Sequence, residues 1–170
     1  MPASGMLSDQ EASPRLGITF GYGHAYDPET IDWYQMGAMV LWDYEDVWQH
    51  PAPDPLRFKV EASLGANGRA SHDFMASAGI AAVYYLDRLR TPHLRPFIEG
   101  GIGFIYTDYR IEDQGLNWNF NPQAGVGTEI VLSSHRSLWL SVRAHHLSNG
   151  GLNSDNRGVN GILFTIGWMF

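Results

Sequence analysis

Residues 58–65 read Phe58-Lys59-Val60-Glu61-Ala62-Ser63-Leu64-Gly65, and their alternation decides the fold. Phe58, Val60, Ala62 and Leu64 share one parity; Lys59, Glu61, Ser63 and Gly65 share the other. Successive side chains of a strand point to opposite faces, whereas a helix repeats every three to four residues. The end of the chain alternates in the same way. Ile162, Phe164, Ile166, Trp168 and Phe170 form one face, and Gly161, Leu163, Thr165, Gly167 and Met169 the other. Working outward, the same period marks eight strands, at residues 16–25, 31–44, 56–65, 72–86, 94–108, 119–133, 137–148 and 159–170. Many run to ten residues or more, beyond the about five or six usual in soluble sheets. The segments between them, such as HPAPDP, GANGR and NGGLNSDNRG, are rich in Gly, Pro, Asn and Asp, the residues that turn a chain.

The two parities differ in chemistry. The even one is aliphatic and aromatic: Ile18 and Phe20, Met36 and Val40, Ile80, Ile102 and Phe104, Val126, Leu140 and Val142. The odd one carries small residues and charges of both signs: Gly21, Lys59, Glu61, Glu99, Gly101, Gly125, Glu129 and Arg143. An odd face so rich in glycine suits a narrow polar lumen better than a solvated surface. Ten-residue segments, apolar outside and polar inside with aromatics near their ends, describe a transmembrane β-barrel. The expectation is therefore all-β: an eight-stranded antiparallel outer-membrane barrel, whose bore is just wide enough for side chains to fill. Trp33, Trp42, Tyr84, Tyr106, Trp118, Trp139 and Trp168 lie near strand ends and are expected to form the interfacial girdles. Glu99, Glu129, Arg95 and Arg143 are read as lumen ion pairs. A soluble lipocalin-like barrel is the competing fold.

Composition agrees. Among the 170 residues aromatics make up 13% and charged residues only 17%, against about 25% charged in ordinary soluble domains. No apolar run approaches the about 18 residues that a membrane helix needs. A net charge of −7 offers no basic stripe for nucleic acid. The absence of Cys excludes disulfides, zinc–thiolate sites and thiol catalysis. The opening MPASGMLSDQEAS has neither a basic start nor an apolar core, so no signal peptide is read there. One barrel domain over residues 1–170 is expected, with residues 1–14 a flexible or periplasmic segment.

One exception breaks the apolar parity. On the seventh strand Leu138, Leu140, Val142 and Ala144 are followed, at the same spacing, by His146 and Ser148. An imidazole and a hydroxyl facing hydrocarbon are costly unless they serve a purpose. A lone His there would be an ordinary interfacial residue, but a base beside a hydroxyl is what an activated nucleophile requires. With both termini in the periplasm, this strand ends at the outer rim. A symmetric hairpin would set Ser148 opposite Asn160 and gather His146, Ser148 and Asn160 into one patch.

The segment RAHHLSNGGLNSDNRGVNGILFTIGWMF resembles the C-terminal hairpin of the outer-membrane lipid A 3-O-deacylases, the PagL type. The shared motif is His-x-Ser-Asn-Gly, an Asn/Gly loop and a final aromatic strand. The resemblance implies hydrolysis of the ester-linked 3-position acyl chain of lipid A, the membrane anchor of lipopolysaccharide, in the bacterial outer membrane. It implies His146 as base, Ser148 as nucleophile, and Asn149 with the Gly150 amide as oxyanion donors. The family's third triad member is a Glu, and the matching position here is Asn160. An Asn can orient an imidazole by accepting from Nδ1–H, as in Cys-His-Asn enzymes, but it brings no negative charge. Asp155 is the alternative orienter. No metal or other cofactor is expected, and the sequence sets no oligomeric state. His24 shares the lipid-face parity as a rim residue, and His50, His72, His93 and His135 fall in or beside turns. The competing function is a non-catalytic structural or adhesive outer-membrane barrel.

Overall fold

The computed structural model describes residues 14–68, 73–109, 111 and 113–170. The expected N-terminal segment lies outside them except for Pro14, as does His72. Strands run as β1 (Arg15–Asp27), β2 (Ile31–Asp43), β3 (Leu56–Asn67), β4 (Phe74–Tyr85), β5 (Leu94–Thr107), β6 (Trp118–Phe120), β7 (Gln123–Ser133), β8 (Arg136–Leu147) and β9 (Val159–Met169). A short helix, α1 (Tyr44–Trp48), joins β2 to β3. Every pairing is antiparallel, β1 bonds to both β2 and β9, and β4 bonds to β5, so the sheet closes on itself. Both β6 and β7 pair with β5 and together make one wall. That wall is interrupted at Pro122, which has no N–H for the ladder. The result is a closed eight-stranded antiparallel barrel, and closure leaves no open edge.

The parity assignment holds around the wall. Ile18, Met36, Leu64, Ile102, Phe104, Val126, Phe164 and Ile166 are exposed on the outside, as lipid contact requires. Aromatics gather near both rims. Tyr22 packs on Tyr34 and Phe164 toward the β1–β2 hairpin, while Phe58 packs on Trp42 and Trp48 at the opposite end. Two of the expected girdle residues do not belong to it. Trp33 and Trp139 are 3% and 1% exposed and fill the lumen. Their odd numbers put them inside, and lying near a strand end does not override parity. Gly23 makes room for Trp33, since a Cβ there would overlap the indole.

The lumen is also less polar than expected. One buried apolar cluster includes Trp33, Met75, Ile105 and Leu163; a second includes Leu41, Val83, Phe97 and Trp139. Charges form a paired set beside them. Lys59 bonds Glu99 and lies 3.1 Å from Glu61, and Arg143 bonds Glu61 and lies 3.8 Å from Glu99. Glu129 accepts from Arg15 at 2.7 Å, from Ser137 at 2.7 Å and from Tyr85. Three of the four residues expected to pair in the lumen, Glu99, Arg143 and Glu129, thus do so, with Lys59, Glu61 and Arg15 as partners. The start of β1 and the end of β9 meet at one rim, where Leu16 and Phe170 exchange backbone hydrogen bonds at 3.2 and 2.9 Å.

Candidate active site

Strands β8 and β9 set the site. Their register pairs His146 with Asn160 and Leu147 with Val159. The symmetric-hairpin expectation, Ser148 opposite Asn160, is therefore off by two residues. β8 stops at Leu147, and Ser148 leaves β9 for the neighbouring wall. It makes a bridge to Phe120, with Phe120 N–H donating to Ser148 O at 2.8 Å and Ser148 N–H to Phe120 O at 3.1 Å. The shift of two preserves parity, so His146, Ser148 and Asn160 still share the outward face, and all three are half-buried.

His146 Nδ1 lies 2.7 Å from Asn160 Oδ1. Asn160 Nδ2 in turn donates to Asp27 Oδ2 at 2.9 Å. This pair of contacts settles the proton positions. A carboxylate only accepts, so the amide nitrogen faces Asp27 and the amide oxygen faces the imidazole. An amide oxygen also only accepts, so the neutral imidazole carries its hydrogen on Nδ1 and leaves Nε2 with a free lone pair. The ring edge bearing Nε2 packs against Gly158, whose φ is +78°: a Cβ there would stand 2.9 Å from His146 Cε1 and 3.4 Å from Nε2. Among the described residues, Nε2 and Ser148 Oγ do not share a hydrogen bond. Their Cα atoms are about 7 Å apart, two strand rises, and catalytic hydrogen bonds of this kind often tighten only with substrate bound.

The loop after Ser148 is built on Asn149, which is fully buried. Its Nδ2 donates to Asp155 O at 2.9 Å, its Oδ1 accepts from Gly151 N–H at 3.0 Å, and its own N–H donates to Asn156 Oδ1 at 2.7 Å. Its backbone N–H and one of its two Nδ2 hydrogens thus tie the loop together directly after Ser148. Gly150, the other expected oxyanion donor, follows at φ +66°. Asp155, the alternative orienter, contributes its backbone carbonyl to this loop, and the Nδ1 position it would have filled is held by Asn160.

A second loop, between β5 and β6, braces the first. Gly115 N–H donates to Asp155 O at 2.8 Å, Arg157 N–H to Asp113 O at 3.1 Å, and Gly158 N–H to Gln114 Oε1 at 3.0 Å. Gln114, Asn156 and Asp27 were not singled out from the sequence. Asp27 sits where β1 bulges: Ala25 pairs with Gly161, and Asp27, not Tyr26, pairs with Asn160. Below the site the outer wall carries an apolar cleft lined by Phe20, Tyr22, Val126, Val142, Phe164 and Ile166. Beside it, Asp32 Oδ1 accepts from Tyr22 OH at 2.7 Å and lies 2.8 Å from His24 Nδ1, so His24 belongs to a rim cluster on the same face. No group of three or more potential metal ligands occurs among the described residues.

Comparison with known proteins adds a family. The family model described as "Lipid A 3-O-deacylase (PagL)" matches residues 16–169. The lipid A deacylase PagL of Pseudomonas aeruginosa is 28% identical over 132 residues, covering 74% of this chain and 71% of that protein. Among solved structures, the outer membrane enzyme PagL matches with a TM-score of 0.67 at 22% identity, over 89% of this chain and 97% of that one. Neisserial surface protein A also scores 0.67, at 13% identity, over 93% and 96%. Two proteins with different names thus match equally well in shape, and the structural likeness speaks for the barrel alone.

Proposed function

The chain belongs to the lipid A 3-O-deacylase family of the bacterial outer membrane, and from that premise we propose that it releases the 3-position acyl chain of lipid A through a Ser148 nucleophile and a His146 base. The observation that carries this reading is the 2.7 Å contact between His146 Nδ1 and Asn160 Oδ1, which leaves the Nε2 lone pair free on the face that Ser148 shares. Nε2 takes the Ser148 Oγ proton as Oγ attacks the ester carbonyl. The Gly150 N–H donates to the developing oxyanion, and Asn149 holds the loop that presents it. Collapse of the tetrahedral intermediate expels the sugar 3-hydroxyl, which takes the proton from His146. A water, deprotonated at the same nitrogen, then frees the fatty acid and restores Ser148.

The placement suits the substrate. Lipopolysaccharide diffuses in the outer leaflet, so a site on the lipid-facing wall reaches it without opening the barrel. The apolar cleft at Val142 and Phe164 lies along the same face below His146 and offers an acyl chain a continuous surface. The sugar end would meet the polar rim residues above. A fluorophosphonate probe tests the mechanism in detergent micelles. It is expected to attach to the peptide carrying Ser148, and His146→Ala is expected to abolish labelling. Attachment to another residue, or unchanged labelling in His146→Ala, would overturn it.

A further inference from the structure

We infer that Asp27 is the remote acid of this site, a positioning residue that acts on His146 through the Asn160 amide. The inference rests on the reading of His146 as the base. Three features point to it. Asp27 belongs by number to the lumen parity, yet the β1 bulge at Tyr26 turns its carboxylate outward to Asn160. Re-aiming a side chain is a characteristic use of a bulge beside a functional site. The carboxylate is also held from both sides: Oδ1 accepts from Arg157 Nη2 at 2.9 Å and Oδ2 from Asn160 Nδ2 at 2.9 Å. Finally, the three side chains form one unbroken file: His146 Nδ1–H to Asn160 Oδ1, then Asn160 Nδ2–H to Asp27 Oδ2.

The physical effect follows from the amide between them. A hydrogen bond from Nδ2–H to an anion shifts electron density onto Oδ1, and linked hydrogen bonds strengthen one another in this way. Oδ1 becomes a better acceptor for the Nδ1–H of the imidazolium that forms when Ser148 gives up its proton. No proton passes along the file; Nδ1 keeps its hydrogen. The family's Glu would place its charge directly on the imidazole, whereas here the charge stands one amide away. Arg157 offsets part of it, so the contribution is smaller than that of a direct carboxylate.

Substitution at the two positions together separates this role from a structural one. Asp27→Asn is expected to lower kcat by about tenfold, the loss of about one charge-assisted hydrogen bond, with KM unchanged. In the Asn160→Glu background the same change is expected to have the opposite sign. There Asp27 would face a second carboxylate, and like charges at that distance disfavour each other; Asp27→Asn removes the repulsion and raises kcat. An Asp27 that merely anchors Arg157 and its loop would cost the same factor in both backgrounds. That outcome, or no change in kcat for Asp27→Asn, would overturn the inference. Barrel assembly is followed by heat-dependent gel mobility, and Asp27→Ser makes the same comparison if the Asn variant does not assemble. His146→Ala is assayed alongside: if it keeps full activity, the base assignment fails and the inference with it. If His146→Ala is inactive while Asp27→Asn is not slowed, the inference alone fails.

Discussion

Asn160 stands directly opposite His146 across β8 and β9, with its amide oxygen 2.7 Å from the imidazole Nδ1. That contact fixes both the plane of the ring and the nitrogen that carries its proton. Asn160→Ala frees the ring to rotate and to take the other tautomer. The expected result is a fall in kcat on the order of 10²-fold with little change in KM, from loss of a hydrogen bond to a group that becomes charged. Steady-state deacylation of lipid A in mixed micelles measures it.

Gly158 is expected to be intolerant of any side chain. Its φ of +78° is a conformation that L residues rarely adopt, and an added Cβ would press on His146 Cε1 from 2.9 Å. Gly158→Ala should strain the loop by about 1 kcal/mol and turn the ring off its line to Ser148. A loss of about tenfold or more in kcat, with the barrel still assembled on a gel, is the expected outcome; unchanged kcat would show that the ring does not depend on this contact.

Asn149 is expected to matter through the loop and not through the oxyanion. Asn149→Ala leaves the Gly151 N–H without its partner and the Asp155 carbonyl with the Gly115 N–H alone, at a local cost of about 1–3 kcal/mol. Hydrogen exchange across residues 149–158 should accelerate in this variant while exchange in β8 and β9 does not. Activity should fall as Gly150 loses its fixed position. Unchanged exchange together with lost activity would instead return the oxyanion role to Asn149.

The lumen charges are expected to set stability and not activity. Arg143→Ala leaves Glu61 and Glu99 to share Lys59 alone, and removing one partner of a buried ion set costs about 3–5 kcal/mol. Urea unfolding in micelles should show a lower midpoint, with kcat under folding conditions unaffected. Replacing Arg143 and Glu61 together with apolar residues should cost less than Arg143→Ala alone.

Much of this architecture was legible in the sequence, for a definite reason. Period-two alternation reports faces directly, so most strand limits, the outward apolar wall and the outward parity of His146, Ser148 and Asn160 could be read from the sequence, although the one strand expected over residues 119–133 is broken at Pro122 into β6 and β7. Misreadings arose where something other than parity was decisive. The preference of aromatics for interfaces points Trp33 and Trp139 to the girdles, although their parity already puts them inside. The hairpin register depended on an eleven-residue loop, residues 148–158, whose folding around Asn149 no local pattern announces; it moved Asn160 from Ser148 to His146. Asp27 was hidden because a bulge inverts parity where it occurs, so alternation pointed the residue at the wrong face. The loop bonds of Asn149 were not legible either, because adjacency to Ser148 says nothing of where a side-chain amide turns.

The central claim is that Ser148 is the residue that opens the lipid A ester. Mass spectrometry of lipid A from cells expressing the wild-type chain, compared with cells expressing Ser148→Ala at equal outer-membrane abundance, tests it most directly. The account predicts that wild-type cells lose one 3-position hydroxyacyl chain from their lipid A and that Ser148→Ala cells retain it. Loss of the same chain in Ser148→Ala cells would contradict the account.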